Sequence, residues 1–319
     1  MNLSLDPGSK VLVTGGAGFI GSHVVDRLVK EGYSVRVIDD LSTGKIANIR
    51  SHLDSGKVTF AKGDIRNVSF IRENLPDVSA VLHFAAMISV PLSIKNPNLT
   101  FDVNLLGTLN LLELCVEAQV NRFVFISSCA VCGDPTKLPV SENTPPNPIS
   151  PYAESKLIGE RYCIGFQERG LLSSVILRFF NVYGSRQGMN DYSGVITRYI
   201  DRISRKKPLV IYGDGLQTRD FVNVNDVAAG VLAAMRLDDV SGQVFNIGSG
   251  KPTSINELSK TLLDLSGQDL AIIYEKTRPG DIKDSYADIS KAQKLLHYEP
   301  QVSLTEGLSV LLRENGLIR

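Results

Sequence analysis

The segment from Lys10 to Gly21 constrains the fold more than any other stretch of the chain. An apolar pentapeptide, Lys10–Thr14 (KVLVT), runs directly into Gly15-Gly-Ala-Gly18-Phe-Ile-Gly21, and Phe19–Glu31 then places Ile20, Val24 and Leu28 at helical spacing. In such a strand–turn–helix unit each glycine has its own steric task. Gly15 permits the tight turn, Gly18 presents bare backbone to a pyrophosphate, and Gly21 lets helix and strand approach closely. The helix N-terminus offers free N–H groups and a positive dipole end, both suited to a phosphate. Gly32 follows where the helix should stop.

The alternation continues downstream. Strands are predicted at Tyr33–Ile38, Val58–Ala61, Ala80–Phe84, Arg122–Ser127 and Ser174–Phe179, with helices at Asn67–Leu75, Asn104–Ala118 and Tyr152–Arg169. Short apolar strands joined by helical crossovers pair in parallel and are covered on both faces, which makes this an α/β chain with a doubly wound parallel sheet of Rossmann type. After Asn181 the alternation breaks. Helices are predicted at Val195–Arg205, Val224–Arg236 and Ser254–Ser266 (N-cap Thr253 or Ser254), and strands at Pro208–Tyr212 and Val244–Ile247. The expected division is a dinucleotide-binding domain, 1–180 and 219–247, and a smaller α/β substrate lobe, 181–218 and 248–319.

Composition removes several alternatives. With 319 residues, 43% of them hydrophobic, the chain can bury a large core. Lys and Arg number 34, as do Asp and Glu, so there is no basic excess for a nucleic acid. No apolar run is expected to cross a bilayer, and Met1–Lys10 lacks a secretory pattern, so no membrane partner and a cytoplasmic location are expected. Cys115, Cys129, Cys132 and Cys163 are expected as free thiols. The Cys129/Cys132 pair has no second CxxC or histidine pair to complete a metal site, so no metal is expected and close packing at a strand end is the better reading.

Asp39 ends the second strand, 18 residues beyond Gly21, where a carboxylate accepts hydrogen bonds from the adenosine ribose. It would repel the extra phosphate of NADP, so NAD is favoured. After the third strand, Asp64 is placed to bond the adenine amino group and Ile65 to cover the ring; a helix-initiating turn explains the same residues. Ser127-Ser128 ends the fifth strand, and Tyr152 and Lys156 share one face of the next helix. A free phenol, with its pKa near 10, is a weak base at neutral pH. An adjacent ammonium and a positive nicotinamide favour phenolate, which makes Tyr152 a general base.

These motifs occur in order with Val37–Gly44 (VIDDLSTG), His83-Phe-Ala-Ala86, Ser127–Gly133, Arg178–Gly184 (RFFNVYG), Thr218-Arg-Asp-Phe221 and Arg278-Pro-Gly-Asp281. Nearly end to end, the chain resembles the extended short-chain dehydrogenases/reductases, specifically the UDP-galactose 4-epimerase group. On the cofactor side the resemblance implies Phe19 and Ile20 along the pyrophosphate, and Asp39, Asp40, Leu41, Ser42, Thr43 and Gly44 around the ribose. It also implies Phe84, Ala85 and Ala86 lining the cofactor, Asn104 nearby, Lys156 on the nicotinamide ribose and Phe180 beside the nicotinamide. On the substrate side it implies Ser128 on the sugar, Val210, Ile211 and Tyr212 beside the uracil, and Asn181, Arg219, Arg278 and Asp281 on UDP. Two guanidinium groups suit a diphosphate.

The implied reaction is 4-epimerisation. Tyr152 takes the 4-hydroxyl proton as C4 passes hydride to NAD, the 4-keto sugar turns over, and hydride returns to the other face. The small Ser285, four residues after Asp281, leaves room for an acetamido group, so UDP-N-acetylglucosamine and UDP-N-acetylgalactosamine are expected substrates beside UDP-glucose and UDP-galactose; a polar turn residue is the bland alternative. Sugar-nucleotide dehydratases need an acid pair where Cys129 and Ala130 stand, and decarboxylases a Glu at Cys129. Reductases using NADP often lack the carboxylate of Asp39, and NAD-sensing proteins lose the Tyr/Lys pair. A UDP-glucuronate 4-epimerase stays open. The chain departs from many relatives at Cys132 (Tyr there), at Cys129 (Ala or Ser) and at Ile88 (Lys in some). The helix faces of 104–118 and 152–169 suggest a homodimer built on a four-helix bundle, as in those relatives.

Overall fold

The computed structural model describes residues 5–189, 194–277 and 282–319. Seven strands form one parallel sheet in the order Val244–Ile247, Ser174–Phe179, Arg122–Ser128, Val78–His83, Lys10–Thr14, Ser34–Asp39, Val58–Lys62. The chain enters at Lys10–Thr14, builds outward to one edge, then crosses back and builds the other. The reversal lies between Lys10–Thr14 and Val78–His83, and a crevice opens at the carboxyl ends of strands at such a switch point. Alternate side chains serve opposite faces. Val11 and Val13 join one apolar cluster with Leu82, Val124 and Leu177; Leu12 joins another with Val81, Phe123 and Ile176.

Predicted helix ends move by a residue or two where a capping side chain takes the terminal position. Asn67 accepts from the Phe70 N–H ahead of Val68–Asn74, Ser150 from Ala153 ahead of Pro151–Glu168, and Ser254 from Glu257 ahead of Ile255–Ser266. The predicted strand through Phe84 ends at His83, leaving Phe84 in the following loop.

The helix predicted at Asn104–Ala118 differs most. It begins with an α-turn, Pro97–Phe101, passes through a π segment, Asp102–Leu106, and continues as Gly107–Glu117. This 21-residue stretch, Pro97–Glu117, is long and apolar enough by length and composition to cross a membrane, contrary to the expectation from sequence. Its apolarity is used against the sheet, where Leu111, Leu112 and Cys115 are fully buried.

A third apolar cluster gathers Tyr183, Ile196, Tyr199, Ile200, Ile203, Leu209, Ile211, Leu258, Leu262, Leu308 and Leu312. It holds two elements that the sequence reading left unassigned. Ile272–Glu275 pairs in parallel with Leu209–Tyr212, and Leu304–Glu314 opens with a capping box between Ser303 and Glu306. A three-stranded ribbon places Thr218–Arg219 between Thr253–Ser254 and Asp284–Ser285.

Helix Pro151–Glu168 meets strand Arg122–Ser128 at Gly159, where an added Cβ would stand 2.5 Å from the Phe125 ring. Gly159→Ala is therefore expected to destabilise by about 1–3 kcal/mol through overpacking. A thermal melt checks this; an unchanged midpoint would mean that the interface yields freely.

Candidate active site

The glycine turn is closed on the protein side. Gly15 has φ +66°, and an added Cβ there would stand 2.8 Å from the Ala85 nitrogen; at Gly21 it would overlap the Gly15 carbonyl oxygen. Gly18 is the N-cap of Phe19–Lys30 with no side-chain cap, and no acidic residue occupies the first turn. The helix start, with Phe19 and Ile20 half-buried, thus keeps its N–H groups for an anion.

Asp39 is buried at the end of its strand. Its carboxylate accepts from the N–H of Ala17 (3.0 Å) and of Leu41 (2.8 Å). Burial pushes its pKa up, and those two donors oppose the rise. A Cβ at Gly44 would stand 2.9 Å from both Asp39 oxygens. Asp40 accepts from the Ser42 N–H (2.8 Å), and the Lys45 N–H donates to the Ala17 carbonyl (2.9 Å). The segment 39–44, with Ser42 and Thr43 exposed, therefore wraps against the glycine turn. Asp64 is gripped by Arg66, whose Nε stands 3.0 Å from both carboxylate oxygens; that guanidinium holds the carboxyl below its usual range. The Ile65 side chain is buried in the second apolar cluster, toward Gly107.

A buried chain of hydrogen bonds fixes the loop carrying Phe84, Ala85 and Ala86. The Ala85 N–H donates to Thr14 Oγ1 (3.1 Å), Thr14 Oγ1 meets His83 Nδ1 (2.7 Å), and His83 Nε2 meets Thr108 Oγ1 (2.9 Å). Thr108 Oγ1 donates to the Asn104 carbonyl (2.7 Å), so it accepts from His83 Nε2–H, and Nδ1 accepts from Thr14. His83 is thus neutral; burial lowers its pKa to about 3, and Lys156 adds to the effect. The Asn104 side chain accepts from the Met87 N–H (2.7 Å) and donates to the Met87 carbonyl (3.0 Å) and to Ser155 Oγ (3.0 Å). Ser155 in turn donates to the Tyr152 carbonyl (2.7 Å). Asn104, on the π segment, therefore ties the cofactor-side loop to the helix of Tyr152. The sequence reading placed Asn104 near the cofactor and gave His83 only as part of a motif; the bonds joining residues 14, 83, 104 and 108 arise from the fold.

Tyr152 and Lys156 lie on helix Pro151–Glu168, which packs against the strand that ends at Ser128. Ser128 Oγ accepts from the Ala130 N–H (3.2 Å) and lowers the pKa of both the Tyr152 phenol and the Cys129 thiol. Burial pushes the phenol up to about 12, and the Ser128 contact pulls it down. Lys156 Nζ donates to the Ile126 carbonyl (2.8 Å) and lies 5.0 Å from the Phe125 ring centre; burial brings its pKa down to about 8. Cys129 and Cys132 share a 3-10 turn, and burial pushes the Cys129 thiol up to about 12. Among the described residues no group of three or more His, Cys, Asp or Glu could hold a metal ion.

On the substrate side, Phe180 is buried and Asn181 exposed. Val210 and Tyr212 are half-buried on one face of their strand, whereas Ile211 points into the third apolar cluster. Arg219 is the centre of the three-stranded ribbon, in register with both Thr253 and Ser285, and its Nη1 donates to the Thr218 carbonyl (2.7 Å). Ser285 is buried. Arg278 and Asp281 lie outside the described residues. The sequence reading gave no role to Asp220. Fully buried, it accepts from Ser249 N–H and Oγ (2.6 Å each), Gly250 N–H (2.9 Å) and Ala287 N–H (3.1 Å), pinning two loops beside Arg219.

Residues 11–248 match the model of the NAD dependent epimerase/dehydratase family. The chain belongs to this family. It is 43% identical to a putative UDP-glucose 4-epimerase of Methanocaldococcus jannaschii over 93% of this chain and 95% of that one. Among solved structures it resembles a UDP-N-acetylglucosamine 4-epimerase of Methanobrevibacter ruminantium (35% identity, TM-score 0.90, 96% of this chain and 99% of that one). It is equally similar in fold to a UDP-glucuronic acid 4-epimerase of Bacillus cereus (37% identity, TM-score 0.90, again 96% and 99%). NAD, the cofactor of this family, fits the crevice. The turn leaves no room for a Cβ at Gly15 or Gly21, the first helical turn is uncapped by side chains, and the Asp39 carboxylate stands beside Gly44.

The neutrality of His83 has a measurable consequence. Between about pH 3 and 6.5 the unfolded imidazole binds a proton that the folded one does not, so stability falls as pH drops through that window. From pH 6.5 to 5 the loss is about 2 kcal/mol. Urea unfolding at pH 7 and pH 5 should show this slope in the native protein and a flatter one in His83→Gln; equal slopes would assign the acid sensitivity elsewhere.

Proposed function

We propose that this protein is an NAD-dependent UDP-hexose 4-epimerase acting on UDP-glucose and UDP-galactose and on their 2-acetamido counterparts. One observation carries the reading. Ser128 ends its strand and faces the Tyr152 phenol, Lys156 of the same helix bonds the Ile126 carbonyl of that strand, and the two residues after Ser128 are a thiol that burial keeps protonated and an alanine. Proton exchange at one hydroxyl needs that trio. Dehydration or decarboxylation needs a carboxyl group where Cys129 stands.

Bound NAD supplies the hydride acceptor and, on return, the donor. Tyr152 accepts the proton of the sugar 4-hydroxyl and later gives it back. Ser128 holds the oxygen while that proton moves and offsets part of the rise that burial imposes on the phenol, and the positive charge of Lys156 would favour the phenolate. Gly15, Gly18 and Gly21 would hold the pyrophosphate and Asp39 the ribose. Asn181, Arg219 and the strand around Val210 and Tyr212 would hold UDP, with Arg278 and Asp281 completing that set. In this reading the nucleotide domain is 1–180 with 219–247 and the sugar-nucleotide lobe is 181–218 with 248–319, a division supported by the third apolar cluster. Exposed Leu106 and Tyr162, on the helical stretch 97–117 and on helix Pro151–Glu168, support a homodimer through these helices.

Purified protein incubated with UDP-galactose, and separately with UDP-N-acetylgalactosamine, should convert both, as read by NMR without added NAD. Conversion of UDP-glucuronate alone would replace this reading with a uronate epimerase. Tyr152→Phe should lower kcat by about 10²- to 10⁴-fold, the usual worth of a general base.

Ser285, buried and opposite Arg219, tests the size of the pocket. Ser285→Tyr should remove the acetamido substrate while keeping UDP-galactose. Retained activity on both would sink the size argument.

A further inference from the structure

Three consecutive strand residues each face a different turn of helix Pro151–Glu168. Ser128 faces the Tyr152 phenol and lowers its pKa, the Ile126 carbonyl accepts from Lys156 Nζ at 2.8 Å, and Ser127 Oγ donates to Glu160 Oε1 at 2.5 Å. Tyr152, Lys156 and Glu160 are spaced i, i+4, i+8 and so share one helix face. The third rung extends to the next strand. Arg178, in register with Ser127, grips Glu160 with two hydrogen bonds, Nε to Oε1 at 2.9 Å and Nη2 to Oε2 at 2.7 Å, and its Nη1 donates to the Glu142 carbonyl at 3.2 Å. Glu160 is 2% exposed and Arg178 4%.

A buried ion pair adds little net stability against an apolar pair of similar volume, so stability alone is a weak reason for this one. Its position gives a better reason. We propose that Glu160 and Arg178 are positioning residues for the reaction: through Ser127 they lock the strand residues that carry Ser128 and receive Lys156, and their mutual neutralisation keeps the Glu160 carboxylate from capturing Lys156. The inference rests on the roles given above to Ser128, Tyr152 and Lys156. The pair is faced by Lys156 and Cys163 from its own helix, by Cys132 from the 3-10 turn, by Glu142 from the following loop and by Lys291 from the C-terminal part of the chain.

The test compares Glu160→Gln, the neutral double variant Glu160→Gln/Arg178→Met, and Ser127→Ala in the NAD-loaded protein. Glu160→Gln should lower kcat by about 10-fold or more with KM for the nucleotide sugar within about threefold, because only alignment at the reacting centre is lost. Ser127→Ala should lower kcat in the same way and serves if the charged variant fails to fold. A second readout needs no turnover: the phenolate absorbance of Tyr152 against pH, taken as the difference from Tyr152→Phe. In Glu160→Gln the unpaired guanidinium favours phenolate, so the titration should move to lower pH; in the double variant it should return to the wild-type position. A purely structural pair would leave single and double titrating alike. That result, or kcat within about twofold of wild type in both Glu160→Gln and Ser127→Ala, overturns the proposal. If the wild-type protein epimerises no UDP-sugar, the proposed function falls while the phenolate titration still decides this one.

Discussion

Everything at the active end of this molecule depends on how the carboxyl ends of the parallel strands satisfy buried polar groups. A polar side chain at a strand end is costly in the core unless it is hydrogen-bonded. Four neighbouring strands carry one there: Thr14, Asp39, His83 and Ser127. Each is paired with an element from elsewhere in the chain. Thr14 and His83 bond each other and reach Thr108, Asp39 takes the Ala17 N–H, and Ser127 takes Glu160. Those bonds satisfy the strand ends and also aim the loops and helices of the crevice. The cofactor-side loop, the π segment and the Tyr152 helix are consequently parts of one hydrogen-bonded frame rather than separately placed pieces.

The electrostatics follow from the same frame. Lys156 and Tyr152 are both moved by burial toward their neutral forms, the lysine to about 8 and the tyrosine to about 12. Left alone, such a pair would be a poor proton acceptor. The carboxylate nearest to Lys156 along the helix face, Glu160, is bound by Arg178, and His83 is neutral, so little fixed charge of the protein competes at the phenol. A site of this kind responds strongly to one added positive charge, because in low dielectric a single charge moves a neighbouring pKa far. A bound oxidised nicotinamide provides such a charge.

Much of this was legible in the sequence, for reasons that particular elements make plain. The glycine turn, Lys10–Thr14 and Ser174–Phe179 carry strong local signals: steric uniqueness in the first case, continuous apolar runs in the others. The Tyr152/Lys156 pair was legible because helical spacing alone puts both on one face. The π segment was not. The helix was predicted to begin only at Asn104, because Pro97 and the polar residues after it interrupt the apolar spacing, and a π segment breaks the 3.6-residue period on which a helix is recognised. Two-residue strands such as Thr218–Arg219 and Asp284–Ser285 carry no alternation at all. Asp220 was invisible as an anchor because its four donors come from residues 249, 250 and 287, brought together only by the fold.

The two ends of the crevice differ in construction, and the proposed reaction requires that difference. The cofactor end is built from long strands and a helix stapled to them, with side chains fixed by several bonds each. The substrate end is built from short ribbons, with Arg219 at the centre of one and Asp220 anchoring the loops around it. A 4-epimerase must return hydride to the opposite face of the same sugar, so the sugar has to turn while its nucleotide stays held. In that reading, rigid placement of Ser128, Tyr152 and Lys156 would serve proton exchange in both directions. In the proposed reading, the small Ser285, buried and in register with Arg219, would leave the sugar room to turn while the diphosphate stays held. The proposed reaction would thus draw tight geometry at the reacting atoms and freedom around the ring from different parts of the chain.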